Sequence, residues 1–296
     1  MNLTGQFLQY VFTGVAIGAI YAMVALGFNM IYNSTGIINL AQGEFVMLGG
    51  MVMVFLTRQL KLPLLPGFFI AVVAVTLIGA AIERGTIHPL KIPSVMNLII
   101  ITVALSILLK GIAMFIWGKQ TYTLPPFSSG KPLSIAGASL TLQTIWILGI
   151  MGASMLFLAI FFTFTMTGKA MKACAVNRKA ASLMGINVKL MVLLSFAISA
   201  ALGAVAGIII TPVALMDYNR GTMLAIKGFA TAVLGGLGSN VGAVFAGFII
   251  GLMESLGAGF VSSAYKDAIA LVVLLVVLFL KPAGIMGVET EGKFKR

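Results

Sequence analysis

Residues 39–50 read NLAQGEFVMLGG. Glu44 is the only charged side chain among the first 57 residues. The stretch lies within apolar runs of bilayer-crossing length, about 17–25 residues. On insertion scales an acid at the centre of such a span costs about 2.5–3.5 kcal/mol, so the carboxylate needs a physical reason. The preceding NSTG at 33–36 stops a first helix, with Gly36 as a left-handed C′ residue. Asn39 then caps a new helix and Gln42 falls at N3, a capping box with Asn in place of Ser or Thr. Glu44 is expected in the second turn, favoured by the helix N-terminus and nearer the interface than the midplane. Two readings follow. Either a capped helix start tolerates the acid, or Asn39, Gln42 and Glu44 line a path or gate through the membrane, since intramembrane ionisable groups face a cavity or a partner.

The rest of the chain is equally apolar. Of 296 residues, 60% are hydrophobic and 9% charged, against about 25% charged in a soluble domain. Mean hydropathy is +1.12. An all-α, polytopic membrane bundle is expected, forming a single domain over residues 1–296. The first basic residue is Arg58, so no basic secretory n-region is expected. One cysteine, Cys174, excludes an internal disulfide, and one histidine, His88, argues against a multi-ligand metal site. The net charge of +12 is read as loop charge that sets orientation rather than as a nucleic-acid surface.

Spans are predicted near 7–32, 38–56, 64–82, 94–117, 141–165, 191–212 and 265–280. Basic residues mark three connections as cytoplasmic: 83–93 with Arg84 and Lys91, 166–190 with Lys169, Lys172, Arg178, Lys179 and Lys189, and the tail with Lys293, Lys295 and Arg296. Alternation then puts the N-terminus and the irregular loop 118–140 outside. It also requires 228–260 to cross an even number of times or to re-enter. GGLGSNVG at 235–242 breaks that region into short or re-entrant helices, giving about eight or nine helical segments. A faint echo relates GVAIGAIYAMVALG (14–27) to SAALGAVAGIII (199–210).

Glycines four apart recur at Gly14/Gly18, Gly203/Gly207, Gly238/Gly242 and Gly247/Gly251. They suit close helix packing in lipid, and Gly235 and Gly236 join that set. Glu254 and Asp267 are read as interfacial or as ion-paired, with Lys110 a candidate partner. The segment GKAMKACAVNRKAASLMGINVKL (168–190) has helix-forming composition from about Lys169 to Met184, stopped by Gly185. Its apolar Ala170, Met171, Cys174, Leu183 and Met184 are candidates for a partner surface. The segment reads as positive-inside charge alone or as a cytoplasmic coupling helix. No G-x-x-x-x-G-K-[ST] loop occurs and no nucleophile–base pair is recognisable, so neither nucleotide binding nor catalysis is expected on this chain.

Four blocks, in order, resemble the signatures of branched-chain amino acid ABC-importer permeases, closest to the shorter of the two permease subunits. They are GAIYAMVALGFNMIYNSTGIINLAQGEFVMLGG, RKAASLMGINV, GFATAVLGGLGSNVGAVFAGFIIGLMESL and DAIALVVLLVVLFLKPAGIMG. The resemblance covers nearly the whole chain and implies a multi-pass subunit of a bacterial or archaeal inner membrane. It implies a second related permease, two cytoplasmic ATPases that use the ATP, and an extracytoplasmic substrate-binding protein as partners. It maps the family's coupling loop onto 168–190, with Arg178, Lys179, Ala180 and Gly185 at the ATPase surface. Related systems carrying urea, short amides or other amino acids remain open. So do an ion-coupled secondary transporter using Glu44 or Glu254 and a purely structural subunit.

Overall fold

A computed structural model describes residues 3–89, 95–281 and 283–287. Lys91, Lys293, Lys295 and Arg296 lie outside the described residues. Eleven α-helices make up most of the described chain: α1 Leu3–Thr35, α2 Gln42–Val54, α3 Leu64–Ile82, α4 Val95–Trp117, α5 Leu142–Phe164, α6 Met166–Val176, α7 Arg178–Leu183, α8 Val188–Ile210, α9 Arg220–Gly235, α10 Asn240–Phe260 and α11 Lys266–Leu280. Wider π-type turns extend α2 through Phe55–Gln59 and α3 through Glu83–Ile87. One small hairpin, β1 Leu133–Ile135 with β2 Ala138–Leu140, stands in the loop after α4. Seven helices are long and apolar enough to cross a membrane. The all-helical form follows from the solvent: in hydrocarbon, backbone N–H and C=O groups must pair within their own segment.

α1 is the axis of the bundle, buried almost continuously from Gly18 to Ile31. It packs on α10, α8 and α9, while α8 packs on α2, α3 and α1. These contacts exchange α1 with α8, α2 with α9 and α3 with α10, so the echo between 14–27 and 199–210 marks two helices in equivalent places. Small residues permit the tightest crossing. A Cβ on Gly14 would lie 2.9 Å from Gly251 O, and one on Gly18 would lie 2.6 Å from Gly247 O.

Both α1 and α8 are followed by a chain that turns back into the bundle. Gly36 takes φ +67° and its N–H bonds to Tyr32 O at 2.7 Å, ending α1 as expected. Residues 37–41 then climb beside α1, so that Gln42 meets Gly27. Gly27 lies eight residues, or about 12 Å, below the end of α1. After α8, residues 211–219 re-enter likewise and α9 starts with Gly221 against Gly43. The predicted span 38–56 is therefore a half-helix that begins at mid-depth.

The two ends of the bundle carry different loops. At one, Arg178 meets Ser34, Asn33 meets Gly238, and Ile285 and Met286 donate to Leu234 O and Gly235 O. This end holds the turn at Gly36, residues 83–89, the 165–187 segment, Lys281 and residues 283–287. At the other, Ser139 N–H bonds to Gln9 Oε1 at 2.8 Å and Tyr122 pairs with Met216, gathering the first turns of α1, 118–140 and 211–219. The helix break expected at 235–242 is present: α9 has 16 residues, α10 has 21 and is of spanning length. Gly236 and Gly238, at φ +95° and +90°, make the turn between them. Gly238 therefore lies outside α10 and forms no helix-face pair with Gly242, which instead packs against Gly235.

Candidate functional site

The centre of the molecule is where the N-termini of α2 and α9 meet. Gly43 and Gly221 are in backbone contact there, and Glu44 Oε2 lies over Gly221. The cap differs from the expected one. Asn39 accepts from Ala41 N–H at 3.1 Å in an Asx turn, and α2 begins at Gln42, with Ala41 at the N-cap position. Gln42 thus stands at N1 rather than N3. Its amide reaches across to α8: Ser199 Oγ lies 2.6 Å from Gln42 Oε1 and 2.7 Å from Gly27 O, and Gln42 Nε2 donates to Ser199 O at 3.2 Å. Asn39 Nδ2 is buried without a hydrogen-bond partner.

Glu44 is 1% exposed and deeper than the sequence implied. The Ser106 hydroxyl donates to Oε1 at 2.9 Å, and Ser106 lies eleven residues from either end of α4. Lys110 Nζ stands 4.0 Å from the same oxygen, too long for a hydrogen bond but close for an ion pair. Lys110 therefore partners Glu44, not Glu254 or Asp267. The carboxylate is also beside the first turn of α9 and within the first turn of α2, where orphan N–H groups favour negative charge. Glu44, Ser106, Lys110 and Thr222 line a cleft of about 300 Å3 between α4 and α9, floored by Phe28 and Phe229.

In a second polar cluster Glu254 and Asp267 are ion-paired, with Lys227 in place of the candidate Lys110. Lys227 of α9 lies 2.9 Å from Glu254 Oε1 and 2.6 Å from Asp267 Oδ1, and Lys266 lies 3.3 Å from Glu254. Tyr21 donates to Glu254 Oε2 at 2.8 Å. The sequence signal for that partner is one lysine inside the apolar run LAIKGFATAVL, whose contacts lie on α1, α10 and α11. Asn29 holds the turn between α9 and α10: its Nδ2 donates to Ser239 O and its Oδ1 accepts from Gly238 N–H, both at 3.0 Å.

The basic segment is two helices, not one. Asn177 adopts an extended conformation, φ −155°, and caps α7 by accepting from Ala180 N–H. Gly185, φ +83°, stops α7 as expected. Arg178 Nε donates to Ser34 O at 2.9 Å, and Nη2 bonds the same oxygen, so its fork closes the end of α1. Lys179 and Ala180 face outward. Val176, Leu183 and Met184 are 83–89% exposed. Met171 and Cys174, read as partner-facing, are buried, and burial pushes the Cys174 thiol pKa up.

Seven spanning helices around two half-helices that meet at mid-depth define a multi-pass membrane permease of the transporter class. The family model described as "Branched-chain amino acid transport system / permease component" matches residues 10–278, and the chain belongs to that family. The permease protein LivH of the Escherichia coli high-affinity branched-chain amino acid transport system is 34% identical, covering 95% of this chain and 96% of its own. BraD of Pseudomonas aeruginosa, named for the same kind of system, is 31% identical at 95% and 96% coverage. The solved structure of PsaBC from Streptococcus pneumoniae in complex with Fab has the same fold, with TM-score 0.51 at 15% identity over 94% of this chain and 92% of its own.

Proposed function

We propose that this chain carries branched-chain amino acids across the cytoplasmic membrane of a bacterium or archaeon as one permease subunit of an ATP-driven importer. The observation that carries the reading is the likeness to LivH along 95% of the chain. The end bearing Arg84, Lys169, Lys172, Arg178, Lys179 and Lys189 faces the cytoplasm. The N-terminus and 118–140 then face outward, toward a substrate-binding protein. A second related permease and two separate ATPase chains complete the assembly; this chain itself needs no cofactor.

In this reading α7 is the coupling element. Lys179, Ala180, Leu183 and Met184 form its outward surface against an ATPase. Arg178 and Gly185 act differently: Arg178 ties α7 to the end of α1, and Gly185 stops it. Movement of α7 is thereby passed to the bundle axis. Glu254, held by Lys227, Lys266 and Tyr21, has the geometry of a fixed ion pair, which speaks against its carrying protons in an ion-coupled transporter.

The deciding experiment is purification of the chain with its partners, followed by uptake in proteoliposomes. ATP- and binding-protein-dependent uptake of leucine, isoleucine or valine is expected. Uptake by this chain alone on an ion gradient, or uptake of urea and short amides in preference to these amino acids, would overturn it.

A further inference from the structure

Resting on the importer reading, we propose that the cleft between α4 and α9 is a zwitterion-binding station, in which Glu44 takes a substrate's ammonium group and Lys110 its carboxylate. Three features of the cleft support this. First, Glu44 is 1% exposed, yet its Oε2 has no hydrogen-bond partner. Thr222 Oγ1, on the facing wall, is likewise buried and unpartnered. An unpartnered buried carboxylate oxygen is expensive and marks a place for a donor.

Second, the opposite charge is within reach but not closed upon it. Lys110 Nζ is 4.0 Å from Glu44 Oε1. A zwitterion entering between them satisfies both groups at once, its ammonium donating to Glu44 Oε2 and Thr222 Oγ1 and its carboxylate accepting from Lys110. Without such counter-groups, moving a zwitterion through the bilayer interior is prohibitively unfavourable.

Third, the rest of the wall is aliphatic and aromatic. Phe28 and Phe229 lie 5.9 Å apart, centroid to centroid, and Ile107 and Ile226 flank them. The cleft volume, about 300 Å3, is at the small end for ligand pockets. It suits one small amino acid with an apolar side chain better than a larger or uniformly polar solute.

The test is cysteine protection in the assembled importer in nanodiscs. Ile226→Cys and, separately, Val103→Cys, at two apolar positions of the cleft wall, are placed in a Cys174→Ser background and labelled with N-ethylmaleimide, a neutral reagent. Leucine should slow labelling at both positions. The compounds 4-methylpentanoate, lacking the ammonium, and 3-methylbutylamine, lacking the carboxylate, should need about tenfold higher concentrations, the change that about 1.4 kcal/mol of lost interaction makes. Glu44→Gln should erase the preference for leucine over 4-methylpentanoate alone. Lys110→Met should erase the preference over 3-methylbutylamine alone. Absence of protection by leucine, equal protection by all three compounds, or unchanged preferences in both variants would overturn the station. Labelling reads the cleft directly, whereas failure of the complete wild-type importer to take up leucine would instead overturn the importer reading.

Discussion

Lys227 Nζ lies 2.9 Å from Glu254 Oε1, and both side chains are buried, one on α9 and one on α10. Tyr21 from α1 donates to Glu254, and Asp267 from α11 closes on Lys227. Four helices are thus joined through one ammonium and its acceptors. α9 is short and starts at mid-depth, so it lacks the end-to-end packing of a full span; the cluster fixes its position against α1 and α10.

Removing one partner should therefore cost more than removing both. Glu254→Ala leaves the buried Lys227 ammonium with the Tyr21 hydroxyl and the half-exposed Asp267 carboxylate in place of a buried counter-charge, and a loss of about 3–5 kcal/mol is expected. The pair Lys227→Met with Glu254→Met leaves no buried charge in the cluster, only the exposed Lys266 and Asp267, and should recover much of that loss. Thermal unfolding of the detergent-solubilised chain checks both. A double variant less stable than Glu254→Ala would contradict the account.

The crossing of α1 and α10 predicts a sharp positional contrast among glycines. A Cβ on Gly18 or Gly247 would stand 2.6 Å from a backbone oxygen of the facing helix, and backbone cannot yield as a side chain can. Gly18→Val or Gly247→Val should abolish recovery of monodisperse protein. Gly149→Ala and Gly152→Ala in α5 meet nothing within 4 Å, and the helix-propensity difference favours them by up to about 1 kcal/mol each. Yield and monodispersity by size-exclusion chromatography separate the two classes.

The turn between α9 and α10 depends on a side chain from α1. Asn29 satisfies Gly238 N–H and donates to Ser239 O; Ser239 O also accepts from Ala243 N–H at 3.0 Å, so Asn29→Ala orphans the Gly238 donor. A loss of about 1–3 kcal/mol is expected for that donor left without a partner. The measurable consequence is local: hydrogen exchange at Gly238 should speed up, while that of α1 itself stays slow. Uniform loosening of all helices would show that the clamp is not a local device.

How far the sequence disclosed this arrangement depends on the distance over which each feature is determined. The end of α1 at Gly36 and the break at Gly236–Gly238 are local, set by glycines in left-handed conformations, and were readable. The depth of Glu44 was not, because 37–41, IINLA, continues into the apolar run of a full span just as well, and only the contacts of Gln42 with α8 and of Gly43 with α9 show that the chain climbs inward before the helix starts. Gln42 carries the same lesson: its spacing from Asn39 fits a capping box, but Ser199, 157 residues away, claims its amide. Lys227 escaped notice because its partners lie 206 and 27 residues away. Asn177 was hidden by helix-forming neighbours, although its side chain caps the second helix.

The two faces of α7 should respond to mutation in different ways. Arg178 points inward onto Ser34 O, so Arg178→Ala should lower stability by about 1.5–3 kcal/mol, the range for a hydrogen bond to a charged group. Leu183 is 89% exposed and Lys179 is exposed. Lys179→Glu with Leu183→Asp should leave the unfolding temperature of the isolated chain nearly unchanged, as surface substitutions within about 0.5 kcal/mol do. In the complete importer the same pair should lower substrate-stimulated ATP hydrolysis at least tenfold, because apolar contact and charge are lost where the ATPase would dock. ATPase assays on complexes matched for subunit stoichiometry supply the measurement. Full coupling in that double variant would place the docking surface elsewhere on the basic end and leave α7 as a brace for α1.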